Sequence, residues 1–411
     1  MTSYIFNSKG KRRTRAGLAK LYLLTFLMIV TLFLVAETAT RYHYHSIENL
    51  KQSVPDLMAR LPEMTISGRE IGNQTIAHNV ALFNLNTEPE KVTTGYVGTS
   101  RSKILQPSRI GLSGTVIGAG NSYSEISYGL ILQAEILRLR FPNLKTVYVE
   151  ASLLLRRPSQ LIIEPDHLKY MPLLQSLKPL CVEPEVRGCE AIFASAEKLL
   201  DRHSFSWKPA LNQFRGQLRF SSLLTTRQGE IRTVDDPMLK GLNPLGERKD
   251  ELPILIARDK QIPEVKIDNI KVQRLRDIPG SAPWDGMFDI FARWGKLHNI
   301  KIVYFQPPVR ADLYNFQKQF GLDEHVADLK RLSAQYQIPF IDLDKPEVGL
   351  IQDWTLFSDE DHMGTCRGSA LLMLALEQGH EDYQNKNMLE PLIQRAMLNQ
   401  KLDVLATCKE H

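Results

Sequence analysis

Apolar and polar positions follow two rhythms along this chain, and the changes between them mark its elements. From Lys91 onward, short β-branched and apolar runs alternate with longer stretches in which apolar residues recur at helical spacing. "KVTTGYVG" closes a β-rich run at Gly98, "GLSGTVIGAG" holds a second short strand, and "SYSEISYGLILQAEILRLRF" carries the helical pattern. "LKTVYVEASLLL" is a continuous apolar run, as a strand covered on both faces should be. Later, "WDGMFDIFARWGKLHN" predicts a helix, "IKIVYFQPP" a buried strand, "VADLKRLSAQYQ" a helix and "IPFIDLD" a strand. A last helix is expected in "GTCRGSALLMLALEQG". Strand, helix, strand order of this kind predicts an α/β domain, a parallel sheet with helices on both faces.

Two regions break the rhythm. Residues 156–284, with "LRRPSQLIIEPDH", a helix near "KPALNQFRGQLRFSSLLTT" and the polar "LNPLGERKDELP", read as a large insertion over one end of the sheet, where loops build binding surfaces. Ahead of the domain, "LYLLTFLMIVTLFLVA" is an uncharged apolar run from Leu21 to Ala36. A bilayer needs roughly 20 such residues, and Lys20 and Glu37 can snorkel to lengthen the span, so a single transmembrane helix is expected. A cleaved signal peptide shows the same basic, apolar and small-residue order, but the run is long for one and no A-x-A site follows. Lys9, Lys11, Arg12, Arg13, Arg15 and Lys20 precede the run with no acid among them. Positive flanks stay cytoplasmic, which puts the domain on the other side, the periplasm in a bacterium. The layout is then a cytoplasmic basic tail (1–20), an anchor (21–40), a polar stem (41–90), the domain (91–380) and a helical C-terminal tail (381–411).

The hydrophobic content, 43% of 411 residues, suffices for a full-sized core. The formal charge of +5 falls to about −1 once the six tail cations are set aside, so nothing points to nucleic acid. The cysteines are Cys181, Cys189, Cys366 and Cys408, without zinc spacing. In an oxidising compartment Cys181 and Cys189 could close a short disulfide loop around Pro184 and Gly188, buried thiols being the alternative.

Three pieces of sequence carry candidate chemistry. In "YVGTSRS", Ser100 follows a buried strand and sits at its carboxyl end with its N–H free at the entrance to the next element, a place that suits a nucleophile. The stretch is neither a G-x-S-x-G elbow, since position 102 is Ser102, nor a phosphate loop. In "VIGAGNSYSE", Gly118 and Gly120 allow close backbone approach, and the Gly120 N–H can face developing negative charge; Ser122 or Ser124 serves equally as a helix cap. In "LFSDEDHMG", His362 has the chemistry of a general base, which requires an acceptor on its second ring nitrogen. Residues three apart in a tight turn share a face, which selects Asp359 over Glu360 and Asp361. Arg101 and Arg310 stand at expected carboxyl ends of strands, where arginine can grip a carboxylate or an acidic sugar, a solvated or salt-bridged arginine being the alternative for each. Asn121, beside Gly120, is a third candidate substrate contact. His298 and His325 read as ordinary helix-end residues.

The joint order, Ser after the first strand, Gly after the second and D-x-x-H before the last helix, resembles the SGNH (GDSL-like) hydrolase superfamily over roughly residues 90–160 and 285–380. Within it the chain is most similar to the membrane-anchored branch of cell-envelope polysaccharide pathways, including alginate O-acetylation proteins and D-alanyl-lipoteichoic acid transfer proteins. The resemblance implies a flavodoxin-like parallel sheet, with Ser100 as nucleophile, His362 as base and Asp359 as its orienting acid. The N–H groups of Ser100 and Gly120 would form the oxyanion hole. It also implies a serine esterase or O-acyltransferase, chiefly for O-acetyl groups, in the bacterial inner membrane. Its partners would be a polysaccharide or other acylated glycan and a membrane protein supplying acyl groups, with no metal or cofactor. Two positions depart from the family: N-x-G reads "GAG", and the G-x-N of the third block is replaced around Glu150, Ala151 and Ser152. These departures keep a second reading open, a non-catalytic SGNH-like scaffold or glycan-binding component of a polysaccharide assembly system.

Overall fold

The computed structural model describes residues 17–37, 83, 86–117, 127–156, 176–181, 243, 245–247, 275–276, 285–364 and 367–377. The basic tail through residue 16, most of the stem, the helix expected near 208–226 and the tail 381–411 lie outside the described residues, as do Gly118, Gly120, Asn121, Ser122, Ser124 and Cys189.

Five parallel strands form one sheet: β1 Thr94–Val97, β2 Thr115–Ile117, β3 Thr146–Glu150, β4 Lys301–Gln306 and β5 Phe340–Asp342, in the order β2-β1-β3-β4-β5. The register sets Tyr96 beside Ile117 and Tyr148, Tyr148 beside Val303, and Phe305 beside Ile341. This is the order of flavodoxin-like doubly wound sheets, whose winding reverses between β1 and β3 and leaves a crevice at the carboxyl ends there.

The helices are α1 Gly17–Glu37, α2 Ser127–Arg140, α3 Asp285–His298, α4 Ala311–Lys318, α5 Leu322–Tyr336 and α6 Arg367–Glu377. Side chains alternate across the pleat, so each strand feeds two cores. Val97, Val147, Val149, Ile302 and Tyr304 pack with Leu130 and Leu137 of α2, Phe291 and Trp294 of α3, and Leu329 and Leu332 of α5. On the other face, Tyr96, Val303, Phe305 and Ile341 pack with α6, whose residues from Gly368 to Leu376 are all buried. Covering on both faces is what the near-continuous apolar strands required.

Between β4 and α5 the chain differs from its sequence pattern. The run "ADLYNFQK" forms α4, and α5 starts at Leu322, ahead of the expected "VADLK". Gly321, at φ 89°, breaks the two helices apart, and Asp323 and Glu324 in the first turn of α5 complement its dipole. At eight residues, and close behind Pro307 and Pro308, α4 is too short for its periodicity to stand out from loop. Its buried Leu313 joins Leu153, Val309 and Leu322 in a third, smaller cluster.

Helix α1 runs for 21 residues with a mean hydropathy of 2.3, long and apolar enough to cross a membrane. Its large side chains, from Leu18 to Leu34, are exposed. The hydroxyls of Thr25 and Thr31 donate to the carbonyls of Leu21 and Leu27 at 2.9 and 2.8 Å, which satisfies them within the helix.

Candidate active site

Gly98 and Thr99 leave β1 directly into the turn that carries Ser100, which is exposed at the carboxyl end of the strand. The Ser102 N–H donates to the Thr99 carbonyl at 3.1 Å and closes this turn. Beneath it stands Glu150, the last residue of β3, fully buried. Its carboxylate accepts from the Thr99 N–H, the Thr99 hydroxyl and the Ser102 hydroxyl, each at 2.7 Å, and from the Ser152 hydroxyl. Residues on both sides of Ser100 are thus bonded to one buried acid. A buried carboxylate is tolerated when its lone pairs are filled. Gly98 has no room for a side chain: a Cβ there would lie 2.0 Å from Ser102 Oγ and 2.5 Å from Glu150 Oε2.

The second half of the site comes from the chain between β5 and α6. Phe357 and Met363 form an antiparallel bridge. The Gly364 N–H donates to Leu356 O at 2.7 Å, and the Ser358 N–H to His362 O at 2.8 Å. Inside this narrow loop the Asp359 carboxylate accepts from the N–H groups of Asp361 and His362 at 2.7 and 2.8 Å, the local side-chain-to-backbone turn that aspartate favours. The same carboxylate meets His362 Nδ1 at 2.9 and 3.0 Å. His362 Nε2 lies 2.8 Å from Ser100 Oγ. An aspartate on Nδ1 places the ring proton there and leaves Nε2 as acceptor for the serine hydroxyl. Side-chain exposure of 22% for His362 and 35% for Asp359 leaves the pair open to solvent from one side.

Ser100, His362 and Asp359 therefore form one continuous hydrogen-bonded chain, from segments 262 residues apart. A chain of this type can transfer the serine proton to the imidazole while the carboxylate stabilises the resulting charge. It stands over β1 and β3, where the winding of the sheet reverses. Asp361 and Glu360 do not share the Asp359 position: the Asp361 carboxylate turns inward to Arg101, and the Glu360 carbonyl accepts from the Arg310 N–H at 3.0 Å.

Both candidate arginines are engaged inside the protein. Arg101, 4% exposed, hydrogen-bonds through Nε to Asp361 Oδ1 at 2.6 Å, and its Nη2 lies at ion-pair distance from the same oxygen without a hydrogen bond of its own. Burial alone would lower its pKa, but the carboxylates of Asp361, Glu150 and Asp344 outweigh that and hold the guanidinium above its ordinary value. Arg310, 2% exposed, makes two bonds to the Asp312 carboxylate at 2.8 and 2.7 Å and lies 4.6 Å over the ring of Trp354. Each geometry fastens a loop rather than presenting a free guanidinium. His325, at the start of α5, is also structural: it is buried with Nε2 2.7 Å from Ala151 O, just past β3.

Sequence reasoning passed over Glu150 and the pairing of Arg101 with Asp361. The signal for the first was present, because a carboxylate that ends a buried β-branched and apolar strand run, with a hydroxyl residue two positions on, has to find buried donors. The second depends on a contact across 260 residues, which no local pattern reports. Among the described residues, no group of three or more His, Cys, Asp or Glu side chains is arranged to hold a metal ion. Comparisons of the chain with protein-family models, with curated proteins and with solved structures found no match.

Proposed function

We propose that the protein is a membrane-anchored serine esterase or O-acyltransferase of the SGNH type, acting on O-acyl groups, chiefly acetyl, of a polysaccharide outside the cytoplasmic membrane. The observation that carries this reading is the hydrogen-bonded chain from Ser100 Oγ through His362 to Asp359, exposed at the carboxyl end of a parallel sheet.

In this reading Ser100 Oγ attacks the acyl carbonyl carbon as His362 Nε2 takes the hydroxyl proton, and Asp359 stabilises the imidazolium. The Ser100 N–H would supply one oxyanion donor, as the resemblance implies. Gly120 remains the expected second donor. The tetrahedral adduct collapses, His362 returns the proton to the departing sugar oxygen, and the acyl group is left on Ser100. Water or a second sugar hydroxyl, deprotonated by His362, then removes it. Helix α1 and the basic residues before it support an anchored domain on the non-cytoplasmic side, and a membrane partner would supply acyl groups if the reaction runs as transfer.

The second reading, a glycan-binding scaffold, is favoured by one observation: Glu150 ends β3 with its carboxylate turned under the Ser100 turn, where an acceptor cannot serve as an oxyanion donor. Reaction of the full chain, in detergent, with a serine-directed fluorophosphonate separates the two. An esterase is labelled at Ser100, with labelling abolished in Ser100→Ala and slowed about 100-fold or more in His362→Ala. A folded protein that takes no label supports the scaffold.

A further inference from the structure

The segments bearing Ser100 and His362 are joined a second time, one residue away from each. Arg101 directly follows the serine and Asp361 directly precedes the histidine, and the two form an ion pair with side-chain exposures of 4% and 9%. We propose that the Arg101–Asp361 pair is a positioning clamp: it holds the Ser100 turn against the His362 loop so that Oγ and Nε2 stay within bonding distance, and it does not contact substrate. This inference rests on the catalytic reading for its kinetic consequences only.

Three features support a clamp over a general structural role. The pair joins two loops that are each shaped separately: Glu150, on β3, organises residues 99–102, and Asp359, within its own loop, organises residues 359–362. Those bonds shape each loop but do not set the distance between them. The ion pair crosses that gap below the exposed Ser100–His362 bond, where solvent does not screen it. The His362 loop is also backed on its other side, since Glu360 O accepts from the Arg310 N–H, and Arg310 is itself fixed by Asp312 and Trp354. Arg101 and the Arg310 N–H thus hold the loop at two adjacent residues, Asp361 and Glu360. Displacing catalytic groups by about 1 Å costs on the order of 100-fold in rate.

The test uses the full chain in detergent and resolves fluorophosphonate reaction at Ser100 into an apparent binding constant and a maximal rate. Arg101→Gln and Asp361→Asn should lower the maximal rate about tenfold or more with the binding constant within about twofold, and Arg101→Lys, which keeps the charge, should recover part of the loss. Because a lone buried charge can unfold the site, Arg101→Met combined with Asp361→Leu provides a folded, apolar replacement; it too should react slowly. A wild-type maximal rate in that folded double variant, or a change confined to the binding constant, overturns the clamp. Hydrogen exchange supplies a readout that needs no reactivity. Arg101→Gln should loosen the peptide covering 356–364 as well as that covering 98–105, and Asp361→Asn should do the same in reverse, while β4 stays protected. Exchange confined to the mutated loop refutes the clamp. If the wild type takes no label but the loops loosen together, the catalytic reading fails and the clamp stands.

Discussion

At the scale of single residues, the site is governed by what surrounds the serine more than by the serine itself. Ser100 is held by neighbours: Thr99 and Ser102 both bond to Glu150, and the turn passes so close to that acid that only glycine fits at position 98. Gly98→Ala is therefore expected to push Ser102 and Glu150 apart, costing about 1–3 kcal/mol, the usual range for overpacking a filled core. Denaturant unfolding followed by tryptophan fluorescence gives the stability change, and fluorophosphonate labelling gives its effect on Ser100. Wild-type values in both would show that the turn yields without loss. Asp359 illustrates why spacing was informative here. A carboxylate three residues before a histidine, in a loop tight enough for it to accept two backbone N–H groups, has little choice but to meet the ring.

At the scale of elements, two buried titratable groups at the carboxyl edge of the sheet oppose each other with pH. His325 of α5 has its pKa lowered to about 3 by burial, aided by Arg156, while its bond to Ala151 O works the other way. A histidine depressed in the fold adds stability above its ordinary 6.5, and that stability is lost as pH falls toward 3. Asp344, just past β5, is raised to about 7, first by burial and then by Asp342, against bonds from the Val309 N–H and Gln306. For a raised carboxyl the stability is present below about 3.8 and is lost as pH climbs through 7. Between about pH 4 and 6.5 the two slopes, each up to about 1.4 kcal/mol per pH unit, oppose and flatten each other. Asp344→Asn should uncover the histidine slope, so that stability rises with pH across this range. Gln306 Oε1, buried without a partner, can accept from the new amide once its side chain turns over. His325→Gln should uncover the opposite, falling slope. Denaturation midpoints at about pH 4.5, 5.5 and 6.5 measure both, and parallel curves for the two variants would refute the assignment.

At the scale of the whole molecule, the sheet domain and α1 place their apolar side chains differently. The domain hides its apolar strands between two layers of helices, whereas α1 leaves Leu23, Phe26, Ile29 and Phe33 exposed along 21 residues. At 1.5 Å per residue that helix is about 30 Å long, the thickness of a bilayer's hydrocarbon core. Full-length protein is expected to stay in the membrane pellet after alkaline carbonate washing, and a variant lacking residues 1–40 should move to the supernatant. Retention of the truncated form in the pellet would assign membrane association to another part of the chain.

The sequence by itself determined what depends on local order. Continuous apolar runs marked the strands, helical spacing marked α2, α3, α5 and α6, and an uncharged stretch marked α1, because burial on two faces, on one stripe or in lipid each selects its own pattern. The meeting of Asp359 with His362 was legible for the same reason, being a contact within one turn. Only the tertiary structure decided the rest. The order of the five strands, the 2.8 Å approach of Ser100 to His362, the three donors that Glu150 gathers from Thr99 and Ser102 and the pairing of Arg101 with Asp361 all join segments far apart in the chain. Contacts of that range are set by how the layers pack, and a residue's type does not say which distant partner the packing will bring. That is why the sequence left two readings of Arg101 and Arg310 open, a ligand grip or a salt bridge, and only the packing shows both paired with aspartates inside the protein.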